Sequence, residues 1–184
     1  MKVNVVTAPE HRYFPRKALK VFLAGGICKC IQWQKMVIDE FMKDGGEINI
    51  DNFTYDGLYL LNPRRTDWIE EPSAAERQIE WEFDMIDRCD AFTMYFAGGE
   101  SDQPICMYEL GRNLLRMQYK YPTTWMNRIV ITCDSSYKRL NGVLIQTRLA
   151  TDGIINVNVV DGAEESVQVH ADEIKKTLKY IYNE

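Results

Sequence analysis

A doubly wound α/β sandwich around a mainly parallel, five-stranded sheet is the fold this sequence predicts. Two observations carry the prediction. Short continuous apolar runs, such as residues 18–25 and 91–97, have the pattern of strands buried on both faces. Between them lie amphipathic stretches of helical length, such as 74–89, so strands and helices alternate along the chain. With 184 residues, the chain suits a single domain spanning 1–184, with residues 1–17 as an N-terminal arm.

Taken in order, residues 3–7 alternate weakly and read as a short edge strand or arm. The run 18–25 is a buried strand that meets a tight turn at Gly25-Gly26. That turn lacks the G-x-G-x-x-G spacing and the Walker lysine, so it reads as a strand-to-helix connection whose bare backbone forms a pocket floor. A helix over 31–43 follows, with Trp33, Met36, Val37 and Phe41 inward, and Gly45-Gly46 ends it. Strand 58–61 stops at Asn62-Pro63, and Arg64, Arg65, Thr66, Asp67 and Trp68 leave its carboxyl end. In an open α/β sheet ligands bind at that end, so these polar and aromatic side chains are candidate substrate contacts or a solvated loop.

The helix over 74–89 places Ala75, Ile79, Phe83, Met85, Ile86 and Cys89 on one arc, with Glu82 in its middle. A carboxylate among apolar neighbours is unfavourable by several kcal/mol unless paired or protonated. Glu82 therefore either reaches past the core into a polar site or satisfies a buried arginine or strand end. After strand 91–97 and the loop at Gly98-Gly99, Asp102 is the expected cap of a helix with Pro104 in its first turn. On that helix Cys106, Met107, Leu110, Leu114 and Met117 share an apolar face, and Glu109 lies outside it, toward a cleft edge. Gly111, two positions on, is unfavourable in a helix by about 1 kcal/mol, which a close approach by another segment or a ligand would explain. Strands over 128–133 and 154–160, a helix over 135–149, and a closing helix over 166–182 carrying Val169, Ile174, Leu178 and Ile181 complete the pattern.

Composition narrows the chemistry. Apolar residues at 46% and charged residues at 27% argue against disorder and fibrous repeats. The net charge of −5 disfavours a nucleic-acid polymer as partner, because phosphate neutralisation needs a basic surface. No apolar run is long enough to span a bilayer and no signal peptide is visible, so a cytoplasmic protein without a membrane partner is expected. The five cysteines are odd in number and form no C-x-x-C pair, which fits reduced core thiols. Only two histidines occur, neither near a Ser or Cys motif, so acid and base work falls to carboxylates, and no metal or cofactor is expected.

Five segments in this order, Phe22-Leu23-Ala24-Gly25-Gly26-Ile27, Trp33-Gln34, Asn62-Pro63-Arg64-Arg65 with Asp67-Trp68, Gln78-Ile79-Glu80-Trp81-Glu82 and Tyr108-Glu109-Leu110-Gly111, resemble the nucleoside 2-deoxyribosyltransferase family. The resemblance implies a flavodoxin-like fold, a homo-oligomer, and a nucleoside or nucleotide plus a free nucleobase as small-molecule partners. It implies Glu109 as the nucleophile that takes the deoxyribosyl group, with net retention after a second base attacks. A second acid must protonate the leaving base; Glu82 is the candidate, with Asp67 and Asp102 as alternatives. Gly25, Gly26, Trp33, Asn62, Arg64, Asp67, Tyr95, Asp102 and Tyr108 are the candidate substrate-binding residues. The sequence departs from the family pattern in having Val21 and Phe22 where a tyrosine commonly orients the nucleophile, which leaves Tyr95 or Tyr108 for that task. A relative that hydrolyses deoxynucleoside 5'-monophosphates would use the same glutamate with water, and Arg64, Arg65 or Arg112 for the phosphate. A catalytically silent nucleotide-binding module is the third expectation.

Overall fold

Phe22-Leu23-Ala24 and Phe92-Thr93-Met94-Tyr95-Phe96 present no polar face because helices cover both sides of their strands. The computed structural model describes residues 1–48, 55–65 and 72–182. Its strands are β1 (Val3–Thr7), β2 (Ala18–Gly25), β3 (Gly57–Asn62), β4 (Ala91–Phe96), β5 (Ile129–Asp134) and β6 (Val157–Val160). Its helices are α1 (Trp33–Met42), α2 (Pro72–Arg88), α3 (Pro104–Lys120), α4 (Leu140–Ala150) and α5 (Ala163–Tyr182). The strands form one sheet in the order β1-β3-β2-β4-β5-β6, and every neighbouring pair is parallel.

This is a doubly wound, flavodoxin-like sheet with one strand added beyond β3. Six strands replace the expected five. The added strand is Val3–Thr7, which pairs with β3 from Val3↔Leu58 to Thr7↔Asn62. Its weak alternation reflects its edge position, where only Val3 and Val6 are fully buried.

α1 and α5 cover one face, where Val37, Phe41, Ile174 and Leu178 pack on Val21, Leu23, Leu58 and Leu60. α2, α3 and α4 cover the other, where Trp81, Met85, Leu110, Leu114 and Val143 pack on Phe22, Phe92, Met94 and Phe96. At about 1.5–3 kcal/mol for each large apolar side chain fully buried, these two layers supply the main drive for folding. The chain runs outward from β2 to β3 and then crosses back to β4, so the switch point lies between β2 and β4, and a crevice opens at their carboxyl ends.

Several element limits differ from the periodicity, each for a local reason. α4 begins at Leu140 because Asp134 Oδ1 accepts hydrogen bonds from the backbone N–H and hydroxyl of Ser136, which turns the chain first. β6 begins at Val157 because Asp152 and Gly153 adopt positive φ and hold a turn ahead of it. On α5 the buried stripe runs through Val167, His170, Ala171, Ile174 and Leu178, and Val169 is only half-buried. Gly111 faces open space, so no described segment of this chain needs the glycine there. Cys89, Cys106 and Cys133 are buried thiols, but Cys28 is exposed and Cys30 half-buried, which corrects the reading of all five as core. Among the described residues, no helix is long and apolar enough to cross a membrane.

Candidate active site

β2 ends where its backbone must be bare. Gly25 has φ +152, and a Cβ there would lie 2.4 Å from the Tyr95 carbonyl oxygen and 2.6 Å from Trp33 Cζ2. A Cβ on Gly26 would lie 2.6 Å from Gln103 Oε1 and 2.7 Å from Cys30 Sγ. The loop that follows is pinned from below and from the side. Trp33 Nε1 donates to the Gly26 carbonyl at 3.0 Å. Arg64 donates to Gln34 Oε1 at 2.8 Å and to the carbonyls of Ile31 and Gly26 at 3.0 and 3.3 Å. Asn62 shapes the turn that delivers Arg64, accepting from its backbone N–H at 3.1 Å and donating to its carbonyl at 3.3 Å.

Above this floor α2 and α3 enclose a cleft of about 490 Å³, a size suited to a small molecule. Phe22, Ala24, Ile79 and Ile105 line its apolar walls, and Gln78, Glu82, Gln103, Cys106 and Glu109 supply its functional groups. A second hollow of about 300 Å³ between α4 and β6 contains no carboxylate.

The carboxylates reach the cleft from neighbouring helices. α2 turns its buried face, Ala74, Gln78, Trp81, Met85 and Cys89, to the sheet. This face is rotated from the expected arc: Ala75, Ile79 and Phe83 are exposed, and Glu82 sits at the edge of the stripe. Trp81 fixes that rotation, being fully buried with its Nε1 donating to the Glu10 carbonyl at 2.8 Å. Gln78 Nε2 donates to Glu82 Oε1 and to the Pro63 carbonyl, both at 2.7 Å. On α3, Glu109 is half-buried beside the stripe of Cys106, Leu110 and Leu114.

Burial pushes the Glu82 carboxyl above its ordinary pKa, and the Gln78 amide opposes that rise. Glu109 is pushed up to about 7, first by burial and then by the neighbouring Glu82, with Arg112 opposing. Two carboxylates in one partly desolvated cleft are coupled in their titration. Burial also pushes the Cys106 thiol well up, so it stays protonated and is a poor nucleophile. Among the described residues, no group of three or more His, Cys, Asp and Glu side chains is arranged to hold a metal ion.

The structure thus brings Gly25, Gly26, Glu82 and Glu109 to one cleft. Arg64 and Asn62 stand behind its floor as supports. Trp33 and Tyr95 are fully buried in the α1/α5 layer, with ring centroids 5.0 Å apart, on the opposite face of the sheet from the two acids. Tyr108 is 71% exposed and points outward, so neither tyrosine proposed to orient the nucleophile lines the cleft. Asp102 is not the helix cap. Gln103, in a left-handed conformation, precedes α3, and the Asp102 carboxylate pairs with Lys138 and Arg139 at 3.0 and 3.2 Å, which hold it below its ordinary range. Asp67 lies outside the described residues.

A family model described as nucleoside 2-deoxyribosyltransferase like matches residues 18–120, more than half of the chain. The chain belongs to the nucleoside 2-deoxyribosyltransferase-like family. Compared with curated proteins, it has no match. The match starts with β2 and ends with α3, so every residue lining the cleft falls within the family's stretch, while β1, β5, β6, α4 and α5 fall outside it. Membership of the deoxyribosyltransferase-like family supports a related nucleoside-handling function for the chain.

Two cleft residues, Gln78 and Gln103, escaped sequence reasoning. Gln78 carried a usable signal, standing four residues before Glu82 on a helix, where side chains meet. Gln103 carried none, because its approach to the floor depends on a left-handed backbone.

Proposed function

We propose that the chain transfers a 2-deoxyribosyl group between nucleobases through a covalent ester on Glu109. The observation that carries this reading is the pair of carboxylates, Glu82 and Glu109, lining one cleft at the carboxyl end of the central strands. A carboxylate oxygen of Glu109 forms a bond to the anomeric carbon as the bond to the base nitrogen breaks. That electron pair leaves with the base, which takes a proton from Glu82. An incoming base then attacks the anomeric carbon, Glu109 departs as carboxylate, and the base's N–H proton returns to Glu82. Each displacement inverts the anomeric centre, so the product keeps the starting configuration.

The cleft favours an unphosphorylated deoxynucleoside over a 5'-monophosphate. Arg64 is engaged with Gln34 and two carbonyls, and Arg112 lies over the Phe83 ring at 3.7 Å and pairs with Asp87 at 3.4 Å. A phosphate dianion would meet two carboxylates without a free guanidinium from either. The apolar walls suit the face of an incoming base and disfavour water as acceptor.

Incubating the protein with thymidine and adenine should yield deoxyadenosine, followed by chromatography. Release of thymine without exchange would assign hydrolysis, and no turnover with the nucleoside or its 5'-monophosphate would overturn the enzymatic reading. Glu82→Gln should lower the rate by about 10²-fold for poor leaving bases and much less for good ones. Equal loss for all bases would remove Glu82 from the proton transfer.

The same reading includes a homo-oligomer. Ile105, Tyr108, Leu115 and Tyr119 lie on one exposed stripe of α3, with Gly111 along one edge of it and open space above the glycine. A second copy is the occupant that fits, since Gly111 permits close approach of a facing helix. Sedimentation should give an assembly that Leu115→Glu dissociates; an unchanged profile would place the contact elsewhere.

A further inference from the structure

Gln78 is a cleft residue that touches the proposed acid directly and to which the reaction above gives no task. It is only 7% exposed, and its amide nitrogen donates at 2.7 Å to both the Pro63 carbonyl and Glu82 Oε1. A primary amide carries two N–H donors on one nitrogen, so both are spent. The Pro63 carbonyl can only accept, which fixes which end of the amide is nitrogen. Glu82 Oε1 receives a hydrogen bond along this direction and cannot hold a proton toward Gln78. When the carboxyl is protonated, the proton belongs on Oε2.

We propose that Gln78 is the positioning residue of the cleft: anchored to Pro63 at the end of β3, it locks the Glu82 carboxyl in one orientation and places its transferable proton on Oε2. This rests on the reading of Glu82 as the acid that protonates the leaving base. Among the described residues the buried Gln78 Oε1 has no hydrogen-bond partner, an unfavourable state that follows from turning both donors the other way. The arrangement ties α2 to the end of β3 and gives the acid a fixed direction. Among the described residues, besides Gln78 on its own helix, the titratable groups facing Glu82 are Glu109 and Cys106 of α3, with Arg112 acting on Glu109.

The test is Gln78→Met in the full chain, with kcat and KM measured against pH for two deoxynucleosides whose bases differ as leaving groups. A fall in kcat of about tenfold or more is expected, with a smaller change in KM and a larger loss for the poorer leaving base. The alkaline limb of the profile should move to higher pH, because the N–H that favours the Glu82 carboxylate is gone. In a Glu82→Gln background the same substitution should add no more than about a twofold loss, since both act through one proton. Gln78→Asn, whose shorter amide reaches only one partner, should move these readouts in the same direction and serves where Gln78→Met does not fold. An unmoved alkaline limb with a KM effect alone, or a full additive loss in the Glu82→Gln background, overturns the proposal. If Glu82→Gln itself lacks leaving-group dependence, the failure lies with the acid; if it has that dependence and Gln78→Met behaves as wild type, it lies with Gln78.

Discussion

Glu109→Ala is expected to abolish base exchange while leaving the far-ultraviolet circular dichroism of the protein unchanged. Burial holds Cys106, one turn before Glu109 on the same helix, as a thiol, so it does not take over the ester to the anomeric carbon. A loss of at least about 10⁴-fold is the scale for removing the group that carries a covalent intermediate. Acid quenching of the wild-type protein with thymidine should leave deoxyribose mass on the peptide containing Glu109, and the variant should lack it. Retained exchange in Glu109→Ala would end the mechanism.

The same residue gives a pH signature of opposite sign in activity and stability. The nucleophile must be ionised and the acid protonated, so kcat/KM should be bell-shaped, its two limbs set by the coupled titration of Glu109 and Glu82. Stability runs against the acid limb. The folded state favours protonated Glu109, whose ordinary pKa of 4.5 is raised to about 7. That preference is fully expressed below pH about 4.5 and is lost as pH rises through 7. Glu109→Gln should therefore be more stable than wild type by about 1–3 kcal/mol above pH 7, and nearly equal to it at pH 5, in urea unfolding. Sacrificed stability at a carboxylate is expected where function, not folding, selects the residue.

How far the sequence revealed this protein depended on the range of the interactions involved. The central strands were legible because burial on both faces leaves a continuous apolar run; Glu82 drew attention as an acid within an apolar arc, and Glu109 through the family resemblance of its Tyr108-Glu109-Leu110-Gly111 segment. Tyr95 was misplaced as a substrate contact: it pairs in register with Gly25, and alternation sets it opposite the face of Phe22 and Ala24, where the cleft lies. The roles of Arg64 and Asp102 were not. Arg64 finds its partners in Gly26, Ile31 and Gln34, at least thirty residues upstream, and Asp102 finds Lys138 and Arg139 some thirty-six residues downstream, and no periodicity encodes either meeting. The rotation of α2 was lost for a related reason. Trp81 is anchored by the Glu10 carbonyl, so a contact 71 residues away decides which side of the helix faces the sheet.

Gly25→Ala and Gly26→Ala should separate what the floor does for the fold from what it does for the ligand. At Gly25 the new methyl would meet the carbonyl oxygen of Tyr95, in the central strand β4, and the indole of Trp33. Neither can give: Trp33 is fully buried against the rings of Tyr95 and His170 at 5.0 and 5.6 Å. Backbone strain at positive φ adds about 1–3 kcal/mol and overpacking a similar amount, which together are a large share of a stability of about 5–15 kcal/mol. Thermal unfolding of Gly25→Ala should fall by about 10 °C or more, or the protein should fail to accumulate folded. At Gly26 the methyl meets the ends of two side chains, Gln103 Oε1 and Cys30 Sγ, which can swing aside. That variant should keep its unfolding temperature within a few degrees while KM rises, because Gln103 leaves the Ala97 carbonyl it donates to at 2.7 Å and intrudes on the floor. Equal losses of stability in both variants would mean that the loop does not yield as argued, and that Gly26 belongs to the core as firmly as Gly25.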